Sequence, residues 1–209
     1  MARILITSGP TRQYLDPVRY LTNASSGRMG RALGEAALDA GHEVVIVSGP
    51  VQVDYPALAE VIQVVTTDDM LAACKQIFPQ CDGLIGAAAP CDYQPQRVET
   101  QKIAKTGDPL VLHLVETADV VAMMGANRLP HQWLVGFALE TEDQRFRALA
   151  KLERKNCDLM VLNGPEAMDA AENSVELIDP GGNVLQSIQG SKEHVAREIL
   201  KLVGRQIIR

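Results

Sequence analysis

Short apolar runs alternate with amphipathic stretches along the 209-residue chain, and this alternation predicts its organisation. Residues 3–8 read as a buried strand ending at Gly9-Pro10, followed by a polar loop over 10–27 rich in Thr, Arg, Asp and Ser. Over 28–40 the positions Met29, Leu33, Ala36, Ala37 and Ala40 recur at helical spacing, and Gly41 is a natural stop. Residues 44–47 form a second strand closed by Gly49-Pro50, and 61–65 a third. A helix is expected over 67–77, with Thr67 or Asp68 as its cap. Strands at 83–87, 133–137 and 159–162 alternate with helices at 117–127 and 141–155, the latter with Ala148, Leu149 and Leu152 on one face. Residues 175–178 and 184–185 flank Pro180-Gly181-Gly182 as a hairpin, and a helix over 191–204 closes the chain. Segment 88–116 is the least regular. It reads as a long loop with a candidate strand pair, 101–103 and 110–114.

Strands alternating with helices imply an α/β, Rossmann-like fold: a mainly parallel sheet, helices on both faces and a C-terminal hairpin. The length suits a single domain over 1–209. Ligands of such sheets bind beyond the carboxyl ends of the strands, which directs attention to the segments after each strand.

Composition narrows the function classes. A hydrophobic share of 46% with 22% charged residues is that of an ordinary globular protein. A net charge of −6 argues against general nucleic-acid binding, although a local basic pocket for phosphates is compatible with it. Cys74, Cys81, Cys91 and Cys157 form no CxxC pair, which favours reduced core thiols over zinc or thioredoxin-type chemistry. The chain opens on a strand rather than a signal-peptide pattern, and no apolar run reaches the ~20 residues that span a bilayer. A cytoplasmic protein that binds no membrane is expected.

Five segments carry candidate chemistry. Ser25-Ser26-Gly27-Arg28-Met29-Gly30 runs from a loop into a helix, where backbone N–H groups and the helix dipole can hold an anion, although the GxxxxGKS pattern is absent. Gly9-Pro10-Thr11-Arg12, after the first strand, can hold a phosphate or carboxylate or can be a plain turn. Within 87–93, small residues such as Ala88 admit a flat ring, and Asp92 can receive a ribose or base donor or fix a cation. Lys102, ten residues beyond, can neutralise developing phosphate charge. Phe137, in Gly136-Phe137-Ala138-Leu139-Glu140-Thr141, is a stacking surface or a core aromatic. Lys151 and Lys155 share a helix face at i, i+4 spacing and repel unless an anion meets them, with Asn163 after the next strand.

Together these segments resemble the phosphopantothenate–cysteine ligase family, the synthetase part of the bacterial bifunctional coenzyme A biosynthesis flavoprotein. The resemblance runs through 4–12 (ILITSGPTR), 15–20 (LDPVRY) and 22–30 (TNASSGRMG), then 47–50, 87–93, Lys102-Ile103, 135–141 and Lys155-Asn156-Cys157-Asp158. It covers roughly residues 3–165 in order and continues more weakly to the end. It implies a Rossmann-like homodimer that joins 4′-phosphopantothenate to L-cysteine through an acyl-nucleotide, with CTP or ATP as co-substrate, CTP being the more common bacterial choice, and Mg²⁺.

Carried over by position, Asn23 and Lys102 are the catalytic residues implied, Asn23 at the acyl-intermediate step and Lys102 on a flexible loop. Ser26, Gly27, Met29, Ala88, Asp92, Phe137, Lys151, Lys155 and Asn163 fall at nucleotide positions. Gly9, Thr11, Arg12, Arg19 and Ser25 are further candidates for phosphate or substrate contacts; no metal ligand is assigned. The chain departs from the family pattern at Pro90-Cys91, Gln94 and Ala104, and lacks an aromatic near Ala170-Ala171. The flavin-binding half is not in this sequence, so no FMN is expected, and a separate flavin-dependent decarboxylase is the expected pathway partner.

Two other readings remain. A nicotinamide-dependent reductase is permitted by the architecture, but the first strand leads into GPTR rather than GxGxxG, and the second ends Val47-Ser48-Gly49-Pro50 without an acidic residue for a ribose. A non-catalytic nucleotide-binding relative is motivated by Pro90-Cys91 and opposed by retention of both Asn23 and Lys102.

Overall fold

The computed structural model describes residues 1–164 and 172–208. Its centre is an eight-stranded sheet in the order β12-β11-β10-β9-β6-β1-β4-β5. Six strands run parallel: β1 (Arg3–Ser8), β4 (Glu43–Ser48), β5 (Glu60–Gln63), β6 (Gly83–Gly86), β9 (Trp133–Leu139) and β10 (Leu159–Asn163). The hairpin of β11 (Glu172–Ile178) and β12 (Val184–Ser191) adds antiparallel to β10.

The strands that form the middle of the sheet are apolar on both sides because both faces are covered. On β1, Ile4 and Ile6 enter one core with α1 (Arg28–Asp39) and α5 (Lys192–Gln206), while Leu5 enters the other with α2 (Thr67–Ile77), α3 (Val120–Asn127) and α4 (Gln144–Arg154). After β1 the chain builds outward through β4 and β5, then returns to place β6 on the other side of β1. The carboxyl ends of β1 and β6 therefore flank the point where strand order reverses, the place where such sheets bind ligands.

The predicted alternation and the C-terminal hairpin are present, with local differences. The expected loop over 10–27 contains a small hairpin, β2 (Arg12–Tyr14) with β3 (Tyr20–Thr22), closed by Asp16, whose carboxylate accepts the backbone N–H groups of Val18 and Arg19. The cap of α2 is Thr66 rather than Thr67 or Asp68. Its hydroxyl accepts from Asp69 N while the Asp69 carboxylate accepts from Thr66 N, a reciprocal capping box. Thr67 instead turns inward and shares a hydrogen bond with Thr11.

In segment 88–116 the strand pair is β7 (Tyr93–Pro95) with β8 (Leu114–Glu116), not 101–103 with 110–114. The backbone of Ile103 is already engaged on both sides, its N–H by the Asp16 carboxylate and its carbonyl by the Arg19 guanidinium. Helix α4 starts later than the expected residue 141, because Asp143 takes a left-handed conformation (φ 45°) and ends the turn that follows Glu140.

Candidate active site

The carboxyl ends of β6, β9 and β10 and the turn into α1 open into a cleft of about 500 Å³. It is lined by Asn23, Ser25, Ser26, Gly27 and Met29 from the turn into α1, by Ala88 and Asp92 after β6, and by Phe137 of β9. Lys151 and Lys155 of the α4 region and Asn163 of β10 complete this set. Eleven residues singled out from the sequence, spread over 141 positions, thus face one space (23 to 163). A second hollow of about 440 Å³ adjoins it, sharing Ala88, Pro90, Asp92, Phe137 and Lys155 and extending to Glu116 and the start of α3. The two have the size and mixed apolar and polar lining of a small-molecule site.

The anion-binding end is the start of α1. Gly27, its N-cap, has φ 76° and ψ −2°, and among the described residues no side chain caps the helix. The Arg31 N–H bonds the Gly27 carbonyl, so the N–H groups of Arg28, Met29 and Gly30 are the orphan donors of the first turn. Uncapped donors at the positive end of a helix dipole suit a phosphate. Gly30 lets this helix end sit against β1, since a Cβ there would lie 2.1 Å from Ser8 Oγ.

The turn is braced from beneath by a network the sequence did not reveal. Tyr55 donates to Ser8 Oγ (2.8 Å) and lies 2.8 Å from Ser48 Oγ, and Ser8 Oγ in turn donates to the Gly27 carbonyl (3.3 Å).

Asn23 is oriented by one hydrogen bond, from Nδ2 to the Pro90 carbonyl at 2.8 Å. Among the described residues the amide keeps a second N–H and its oxygen for a ligand. The unusual Pro90-Cys91 pair is thereby part of the wall. Cys91 itself is buried, its N–H donating to Thr11 Oγ1 and its carbonyl accepting from Thr67 and Thr117.

The two lysines do meet anions, but protein ones. Lys151 Nζ lies 2.5 Å from Glu140 Oε1, a carboxylate only 8% exposed, and Lys155 Nζ lies 3.1 Å from Asp119 Oδ2, which Arg154 shares at 3.3 Å. Each ammonium is held in place and its repulsion with the other is offset. Asn163 Oδ1 is buried with no hydrogen-bond partner among the described residues, an acceptor left for a donor in the cleft.

Other candidates lie elsewhere. Thr11 is fully buried, with its hydroxyl spent on Thr67 and Cys91. Arg12 stacks on Tyr20, 4.5 Å from the ring centroid, and Gly9 gives its carbonyl to Ala89 N. Arg19 grips Ile103 and pairs with Asp16 at 3.3 Å. None of these four lines the cleft.

Lys102 is exposed beside a separate groove formed with Leu15, Pro95, Ile103, Leu110 and Leu112. The Asp16 and Arg19 clasp on Ile103 ties this lysine segment to the β2–β3 hairpin. Asn173 and Lys192, not anticipated from the sequence, line the cleft from β11 and the start of α5. The Ala170-Ala171 departure lies outside the described residues.

Residues 1–206 match the family described as the DNA/pantothenate metabolism flavoprotein C-terminal domain. The chain belongs to this family. The chain also resembles curated proteins over nearly its whole length. The coenzyme A biosynthesis bifunctional protein CoaBC of Bacillus subtilis (strain 168) is 39% identical over 206 residues, 96% of this chain and 50% of the relative. A cysteine/cysteine sulfinic acid decarboxylase from an unidentified prokaryote is 38% identical over 207 residues, 96% of this chain and 57% of the relative. The chain thus spans about half the length of the curated relatives it matches. The crystal structure of the C-terminal domain of a CoaBC protein superposes with a TM-score of 0.81 at 37% identity, covering 97% of this chain and 94% of that one.

Proposed function

We propose that this family member joins 4′-phosphopantothenate to L-cysteine, in coenzyme A synthesis, at the expense of a nucleoside triphosphate. The observation that carries the reading is the convergence in one cleft of an uncapped helix N-terminus, two anchored lysines and the Asn23 amide. Its relatives named for coenzyme A biosynthesis support the pathway.

In the first half-reaction the phosphopantothenate carboxylate attacks the α-phosphorus. A P–O bond forms to the carboxylate, the bond to the bridging oxygen breaks, and its electron pair leaves with pyrophosphate. The nucleoside lies toward Ala88, Asp92 and Phe137, and the phosphates toward the α1 amides. In the second half-reaction the cysteine amine attacks the acyl carbonyl. A C–N bond forms, the acyl C–O bond to the nucleotide phosphate breaks with its electron pair going to that phosphate, and the amine proton is lost to it or to water. The free N–H of Asn23 stabilises the oxyanion before the nucleoside monophosphate departs. The segment bearing Lys102 closes from its groove to neutralise the phosphates.

Among the described residues no three of His, Cys, Asp or Glu gather to hold a metal. A Mg²⁺ ion would therefore take most of its oxygens from the triphosphate itself, neutralising its charge. The condensation is redox-neutral and needs no FMN. CTP is the proposed nucleotide, a homodimer the proposed working form, and a separate flavin-dependent decarboxylase the proposed consumer of the product.

The test is pyrophosphate release with phosphopantothenate and cysteine, run with each of the four ribonucleotides. Release that requires both substrates, fastest with CTP, is expected. Binding without release would make the chain a non-catalytic relative. Carbon dioxide release from cysteine or cysteine sulfinic acid, without pyrophosphate, would favour the activity for which the prokaryotic relative is named.

A further inference from the structure

Lys192 breaks a rule that the rest of its helix obeys. It is the first residue of α5, directly after the N-cap Ser191, whose hydroxyl accepts the His194 N–H. A cation at a helix N-terminus is disfavoured by the dipole, and Glu193 next to it is the residue type expected there. Lys192 is nevertheless directed at the cleft, and its Nζ donates to Asn173 Oδ1 at 3.0 Å. Asn173 is only 2% exposed and stands on β11, the antiparallel strand next to β10. A buried amide thus fixes an ammonium on the wall of the cleft.

The position within the site says what that is. The hollow beside Glu116 and α3 contains Asp92, Ala88 and Phe137 but neither Lys192 nor Asn173. These two line only the part of the site that also holds Ser25, Ser26 and the start of α1. A nucleotide laid with its nucleoside in the first hollow and its phosphates toward α1 brings its distal phosphates toward Lys192.

We propose that Lys192, positioned by Asn173, binds the terminal phosphates of the nucleotide and neutralises pyrophosphate as it leaves. The proposal rests on the ligase reading given above and adds a leaving-group contact to it. When the bond between the α-phosphorus and the bridging oxygen breaks, negative charge accumulates on that oxygen, and an ammonium on the pyrophosphate side stabilises the departing anion.

Calorimetric titration of the whole chain and of K192Q with pyrophosphate, CTP and CMP, each with Mg²⁺, tests it. Loss of a charge-assisted contact is worth at least roughly tenfold in affinity. Pyrophosphate and CTP should therefore weaken by about that factor in K192Q, CMP should bind as before, and K192R should recover most of the loss. Equal weakening of CMP would reveal general damage to the cleft and overturn the proposal, as would unchanged pyrophosphate affinity. If the unaltered chain binds none of the three, the ligase reading fails together with it. If it binds all three and K192Q matches it, only the leaving-group contact fails.

Discussion

Replacing Gly27 by Ala tests whether the turn into α1 is shaped for a ligand. Gly27 sits at φ 76°, where an L side chain costs about 1–2 kcal/mol. Its new Cβ would also lie 2.9 Å from Val51 Cγ1 and 3.2 Å from the Tyr55 hydroxyl, the group that braces the turn through Ser8. Relief of that contact must move the turn or the Val51 side chain, since the Tyr55 hydroxyl is anchored on Ser8 and Ser48. Gly41 provides the control. It has φ 80° but nothing within 4 Å of a built Cβ, so G41A bears the conformational cost alone.

G41A should therefore lower stability by about 1–2 kcal/mol, a fall of roughly 2–8 °C in melting temperature for a chain of this size. G27A should fall further, by about another 1 kcal/mol of overpacking. The assay is thermal unfolding together with CTP titration. G27A should weaken CTP roughly tenfold, since a displaced turn misaims the amides of Arg28, Met29 and Gly30, while G41A leaves CTP affinity unchanged. Equal melting temperatures and equal CTP affinity for the two variants would refute the reasoning.

Three further outcomes are expected. N23D sets a carboxylate against the Pro90 carbonyl that now accepts from Asn23 at 2.8 Å, so cysteine transfer should slow strongly while the first half-reaction still forms pyrophosphate; unchanged amide formation in a single-turnover assay would remove Asn23 from the mechanism. Burial raises the Asp16 pKa, but the N–H groups of Val18, Ile103 and Arg19 and the Arg19 charge outweigh it and hold the carboxyl below its usual value. Its contribution is thus complete above the unfolded carboxyl pKa of about 4 and is lost as pH falls through the lower folded value, so D16N should flatten the acid limb of a stability–pH curve and loosen the Lys102 segment in hydrogen exchange. Burial pushes the Cys74 and Cys157 thiols up to about 12 and Cys81 to about 11, so iodoacetamide at pH 8 should leave these three unmodified until the chain unfolds, and rapid native labelling would contradict their packing.

The sheet was legible because its information is local and periodic. Apolar runs of three or four residues at 4–6, 44–47 and 159–162, set among helical stretches, leave few architectures, and the chain adopts the expected one. Part of the cleft lining was legible for a related reason: Ala88 and Asp92 follow β6, Phe137 and Asn163 stand in the carboxyl halves of β9 and β10, and strand ends in such a sheet converge. What escaped was set by distant partners. Asp16 and Arg19 looked like loop polarity or ligand contacts, but they hold the two polar groups of the Ile103 backbone, 84 to 87 positions away. That engagement is also why the strand pair formed at Tyr93–Pro95 and Leu114–Glu116 instead.

Thr11 looked like a phosphate contact because its burial depends on α2 and the Cys91 loop, neither of which is near in sequence. Tyr55, Asn173 and Lys192 carried no motif. The one signal available was Lys192 itself, a cation at the start of a helix where an acid is the norm.

The account depends on a triphosphate seated on the first turn of α1. Backbone amide NMR of the isotopically labelled chain, titrated with CTP and Mg²⁺, observes that turn directly. Saturable shifts are predicted for the amides of Arg28, Met29 and Gly30 and around Phe137 and Asn163, with Trp133 and Ile207 at the opposite sheet edge unmoved. Shifts confined to that opposite edge, or amides at Arg28–Gly30 indifferent to saturating nucleotide, would contradict it.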